Sequence, residues 1–130
     1  MKPLLPIVLA VAAAALIAPL AALPASAASG LPPGCSMTVQ KPYVVSTVIK
    51  GSSTASCLTA STRTLYAELW HDYPFADVRV IRAGTTGSKT HYFTPYSLCD
   101  NGGTTTYHTT GLFANWSYYM DSANVVLAHC

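Results

Sequence analysis

Apolar residues are concentrated at the start of the chain and alternate with polar ones through most of the rest. Residues 4–23 form an almost unbroken apolar run, interrupted by Pro6 and Pro19. From Met37 onward the pattern has a period of two, the period of a strand with one buried face. It is clearest over residues 63–70, where Leu65, Ala67 and Leu69 fall on one face and Thr64, Tyr66, Glu68 and Trp70 on the other. Residues 43–50 are rich in β-branched side chains, and residues 78–82 alternate again. Shorter strands are predicted over residues 37–40, 89–93, 96–98, 104–110, 116–120 and 124–130, with 104–110 read as a polar edge strand. Gly51-Ser52-Ser53, residues 84–88 and Asp100-Asn101-Gly102-Gly103 read as turns, because glycine and asparagine reach positive φ at low cost. Tyr73-Pro74-Phe75 breaks the strand before it.

No stretch beyond the apolar run repeats with the 3.6-residue period of a helix. Threonine, valine and tyrosine dominate, which favours strands. Seven or eight short strands with frequent turns predict an all-β domain, a small immunoglobulin-like β-sandwich.

The apolar run changes the picture of compartment. Lys2 precedes it, and Ala25-Ser26-Ala27 follows it with small residues at the two positions a signal peptidase reads. Residues 1–27 are therefore expected to be a cleaved Sec signal peptide, and the protein to be secreted and extracellular. The run is long enough to span a bilayer, but no charged stop-transfer flank follows it, so no membrane association is expected after cleavage. Residues 28–34 read as an extended N-terminal arm. Its Leu31-Pro32-Pro33 suits neither a helix nor a central strand. Residues 35–130 make the sandwich domain.

At about 100 residues the mature chain is a single domain that buries a modest core. Its four cysteines, Cys35, Cys57, Cys99 and Cys130, form an even set in an exported chain, so two disulfides are expected. Pairing Cys35 with Cys57 and Cys99 with Cys130 closes two local loops. The other pairing considered is Cys57 with Cys99 and Cys35 with Cys130. No C-x-x-C pair occurs, so the cysteines are not expected to hold zinc.

Charge and motifs exclude more than they assign. The chain carries 7 Lys and Arg against 5 Asp and Glu. There is no basic stripe, so nucleic acid is not an expected partner. No G-x-S-x-G, H-E-x-x-H or phosphate-cradling glycine loop is present. Of the five acids, Asp72, Asp77, Asp100 and Asp121 fall at predicted turns and only Glu68 on a strand. Of the four histidines, His71 with Asp72 beside Asp77 is the best local cluster, and a solvated turn explains it without catalysis or metal. No cofactor and no catalytic residue is expected. Trp70-His71-Asp72-Tyr73-Pro74-Phe75 places three aromatics around a proline-stiffened turn, and exposed aromatics anchor interfaces. Trp70, His71, Tyr73 and Phe75, with Ser29, Leu31, Pro32 and Pro33 of the arm, are the candidate partner contacts.

Three segments carry a resemblance. They are Cys35-Ser36-Met37-Thr38-Val39-Gln40-Lys41-Pro42-Tyr43, residues 65–77 with their strand and aspartate-flanked turn, and Tyr107-His108-Thr109-Thr110 running on to Val126-Leu127-Ala128-His129-Cys130. The chain resembles small disulfide-bonded secreted proteins of filamentous high-GC Gram-positive bacteria. Among proteins of this size and kind is the adaptor subunit of umbrella toxin particles, which joins a lectin-like subunit to a long toxin chain through an N-terminal extension. That resemblance implies a non-catalytic protein-binding module, an adaptor in an extracellular toxin assembly used in interbacterial antagonism, with another secreted protein as partner. The alternative is a secreted inhibitor of a protease or glycosidase acting through residues 70–75. Tendamistat-like amylase inhibitors are also small, all-β and four-cysteine proteins. Their Trp-Arg-Tyr turn is replaced here by Trp70-His71-Asp72-Tyr73, without the arginine.

Overall fold

A computed structural model describes residues 30–100 and 104–128. The signal segment, Ser29, the Asn101-Gly102-Gly103 part of a predicted turn, and Cys130 lie outside the described residues. The described chain is all β and contains no helix. Its seven strands are β1 (Cys35–Val39), β2 (Tyr43–Val45), β3 (Val48–His71), β4 (Val78–Leu98), β5 (Thr105–Phe113), β6 (Tyr119–Asp121) and β7 (Val125–Leu127).

All seven join one curled antiparallel sheet. The β class expected from the sequence holds. The two separate sheets of an immunoglobulin-like sandwich are not what these strands form. The reason lies in β3 and β4, a pair of strands 24 and 21 residues long that hydrogen-bond from end to end. Both run straight through segments that read as turns. Gly51 pairs with Tyr96, and a Cβ on Gly51 would collide with the Tyr96 ring and hydroxyl. The glycine is there to admit a ring, not to reverse the chain. Ser52 and Ser53 are buried beside it, and residues 84–88 continue β4.

The curl comes from a bulge. Cys57, Leu58, Thr59 and Ala60 lie opposite Thr90 alone, between the register pairs Ser56↔His91 and Ser61↔Lys89. Extra residues on one strand bend a ladder, and here the hairpin folds back on itself. The Thr94 hydroxyl, in one half of the hairpin, donates to the Leu65 carbonyl in the other at 3.1 Å. The Tyr92 hydroxyl caps the bend, lying 2.9 Å from the Ser61 carbonyl and 2.8 Å from the Gly87 carbonyl and donating its one proton between them.

Along its second edge, β3 pairs first with β2 and β1, then with β5. The polar strand expected at the sheet edge is therefore internal. β5 lies between β3 on one side and β6 and β7 on the other, and Tyr107 to Gly111 are buried. The enclosed side holds two apolar clusters. One gathers Leu31, Cys35, Met37, Ala55, Cys57, Leu65, Tyr92 and Phe113, and the other Ile49, Ala67, Leu69, Tyr96 and Tyr107.

Cys35 and Cys57 face each other across β1 and β3 and form a disulfide, with Cα atoms 4.0 Å apart. This is the local pairing, and it rules out Cys57 with Cys99. No cysteine among the described residues is free.

Candidate functional site

The connection between β3 and β4 is Asp72-Tyr73-Pro74-Phe75-Ala76-Asp77. A proline and two aspartates suit a turn and not a ladder, so the hairpin ends here. Phe75 stands fully in solvent at 101 % exposure, and Tyr73 and Val78 beside it are half exposed.

Most of the other predicted contacts are buried or partly buried. Trp70 is partly buried, and its indole Nε1 donates to Glu68 Oε2 at 2.8 Å. His71 points to the enclosed side, where its ring stacks on Tyr73 at 3.9 Å and meets Tyr107 edge-on. Its Nε2 is 2.9 Å from the Thr105 hydroxyl. Of the N-terminal arm, Leu31 and Pro32 are buried, and the Gly30 carbonyl accepts from the Tyr118 amide at 3.3 Å. Pro33 alone of the predicted arm contacts is exposed, and Ser29 lies outside the described residues.

Below the turn, on the outer face of the sheet, lies a polar cleft of about 490 Å³. It is built by strand alternation. Glu68 and Trp70 project from the outer face of β3, and His108 and Thr110 from their register partners on β5. Asp121 of β6 sits opposite Thr110 and accepts a hydrogen bond from its hydroxyl.

β4 contributes through an irregularity. Strict alternation would place Arg79 and Arg82 on opposite faces. Between the pairs Leu69↔Ile81 and Trp70↔Arg79, Val80 is an extra residue, so both arginines reach the same face. Val80 and Ile81 both pack against the second apolar cluster.

Glu68 is the centre of this face, and its side chain is 3 % exposed. Arg79 Nη1 donates to its Oε1 at 3.1 Å, Arg82 Nε donates to the same oxygen at 2.6 Å, and Trp70 holds Oε2. The Arg82 guanidinium also lies 4.5 Å from the Tyr66 ring centroid, a cation–π distance. The carboxylate is thus paired and hydrogen-bonded on both oxygens, the condition under which a buried charge is tolerated.

The second group surrounds His108. Its ring is parallel to Trp70 with centroids 6.3 Å apart. Its Nδ1 donates to Asp72 Oδ1 at 2.6 Å, and its Nε2 is 3.9 Å from Asp121 Oδ1. Asp72, Asp77 and His108 each offer one donor atom within 4.8 Å of the others.

The sequence sets His71 beside Asp72 and Asp77, whereas the fold brings His108 to those two aspartates. His71 is next to Asp72 in the chain, but alternation turns it inward. His108 comes from 36 residues away and faces Asp72 because β5 pairs with β3 at Trp70↔His108. No local pattern in the sequence encodes that register. Arg79, Arg82 and Asp121 were missed for the same reason, and Arg79 also because the bulge at Val80 has no signature in the sequence.

Compared with known proteins, the chain matches no family model, no curated protein and no solved structure.

Proposed function

We propose that this protein is a non-catalytic, secreted binding module that engages another secreted protein through the turn at the end of the β3–β4 hairpin. The observation that carries this reading is Phe75, a large apolar ring held fully in water at the tip of a long, continuous ladder. Exposed aromatics on a rigid support lose little conformational freedom on binding, which is why they serve as interface anchors. Tyr73 and Val78 widen the apolar surface, while Trp70 and His71 hold the turn from beneath.

The concrete form we favour is an adaptor subunit of an extracellular toxin assembly in interbacterial antagonism, as the sequence resemblance implies. Burial of Leu31 and Pro32 moves the expected contact from the N-terminal arm to the hairpin tip. Export directed by residues 1–27 and a second disulfide, Cys99 with Cys130, belong to the same proposal. The Cys35–Cys57 disulfide is compatible with export, and no helix among the described residues is long and apolar enough to cross a membrane.

A protruding hairpin tip equally suits an inhibitor that inserts a loop into a hydrolase cleft, so the second reading rests on the same residues. Affinity capture from culture supernatant, with the tagged mature protein and its Phe75→Ala and Tyr73→Ala variants, tests both. Each variant is expected to keep its thermal midpoint and to lose about 2 kcal/mol of affinity for the captured partner, roughly 30-fold. Loss of a large non-enzymatic chain identifies an adaptor, and loss of a hydrolase identifies an inhibitor. A partner retained equally by both variants refutes the hairpin tip as the contact.

A further inference from the structure

We propose that Asp72, Asp77 and His108 form a binding site for one divalent transition-metal cation, of which zinc is the best fit. Two carboxylates and one imidazole are a borderline-hard donor set that suits zinc or manganese. Their donor atoms already lie within 4.8 Å of one another.

Three further features point to a cation. His108 is nine-tenths buried, its side chain 10 % exposed, and yet both of its ring nitrogens are turned toward carboxylates. Asp72 spends Oδ1 on His108 and leaves Oδ2 buried without a hydrogen-bond partner. Such an orphan acceptor is costly to bury unless something fills its lone pairs. The charge is also unbalanced. Glu68, Asp72, Asp77 and Asp121 line one continuous surface with Arg79 and Arg82, and both arginines are committed to Glu68. That leaves the carboxylates of Asp72, Asp77 and Asp121 without an arginine or lysine partner among the described residues.

With Nδ1 on the metal, His108 would carry its ring proton on Nε2. Asp121, 3.9 Å from Nε2, then stands where an outer carboxylate orients a ligating histidine. This site is independent of the hairpin-tip reading, and its failure leaves that reading untouched.

Isothermal titration of the oxidised protein with zinc, manganese and calcium chlorides tests the proposal. One zinc per chain is expected, and Asp77→Asn and His108→Gln should each weaken it at least tenfold. Asp77 is exposed, so its substitution should leave the thermal midpoint unchanged and separate binding from folding. His91→Gln, an exposed histidine hydrogen-bonded to Ser56, should leave zinc affinity unchanged. No zinc binding at millimolar concentration, binding of calcium alone, or zinc binding unaffected by Asp77→Asn and His108→Gln would each overturn the assignment.

Discussion

Glu68 shows how a single carboxylate is buried on the outer face of the sheet. Both of its oxygens are engaged, by two guanidinium groups and an indole N–H. Its partners differ in what they lose without it. Arg79 and Arg82 are about two-fifths exposed and can be solvated, whereas the Trp70 Nε1 has its acceptor only in Glu68 Oε2 among the bonds of this face. Glu68→Gln keeps the shape and can still accept from one arginine, but it puts an amide N–H₂ against donors. The expected cost is about 1–3 kcal/mol, the range for an unsatisfied buried group, below the 3–5 kcal/mol of a fully desolvated pair. Urea unfolding measures it, and a loss under about 0.5 kcal/mol would mean that the network adds nothing to stability. At this scale the sequence was partly legible. Glu68 stood out as the one acid on a strand and Phe75 as an aromatic in a turn. That His71 turns inward follows from its alternation with Trp70, but the partner Asp72 takes instead depends on strand register.

At the scale of elements, the long β3–β4 hairpin decides the architecture. Glycine and serine at 51–53 and 84–88 have the composition of turns, which is why several short strands are expected from the sequence where two long ones run. Composition cannot distinguish a glycine that reverses the chain from one that makes room for a neighbour, since both need only the missing Cβ. Gly111 on β5 is of the second kind. A Cβ there would lie 2.6 Å from Val39 Cγ1, 2.7 Å from Ser53 Oγ and 2.9 Å from Met37 Sδ. Those atoms belong to β1 and β3, so at Gly111 β5 comes close to the opposite wall of the curl. Gly111→Ala should cost about 1–3 kcal/mol through overpacking, even though alanine is the better strand residue. A thermal melt beside Gly87→Ala checks this. The Gly87 Cβ would meet only the Lys89 side chain, which is exposed and can move. Equal losses in the two variants would show that strand propensity, and not the closeness of the two walls, sets the cost.

For the whole molecule, the curl closes over hydroxyl-bearing aromatics, and this ties its stability to alkaline pH. Tyr96 is 4 % exposed, and its hydroxyl lies 2.6 Å from Thr109 Oγ1 on the far strand. Burial pushes its pKa up from 10.0 to about 12, with the Thr109 hydrogen bond opposing and Tyr43 adding to the shift. Burial also raises Tyr107, helped by its hydrogen bond to the Asp100 carboxylate and by that charge. A phenol with a higher pKa folded than unfolded holds its proton more tightly in the native state. Its contribution is complete below pH 10 and is lost as pH rises toward 12. Two units at Tyr96 correspond to about 3 kcal/mol over that window, a large share of a small domain's stability. Denaturant midpoints should therefore fall steeply above about pH 10, with phenolate absorbance of the buried rings appearing together with unfolding. Tyr96→Phe should start lower at neutral pH, by about 1–2 kcal/mol for the unpaired Thr109 hydroxyl, and then decline less steeply. If the wild type and Tyr96→Phe lose stability in parallel, the alkaline limit is set elsewhere, and the enclosed hydroxyl pair serves only to hold the two walls together.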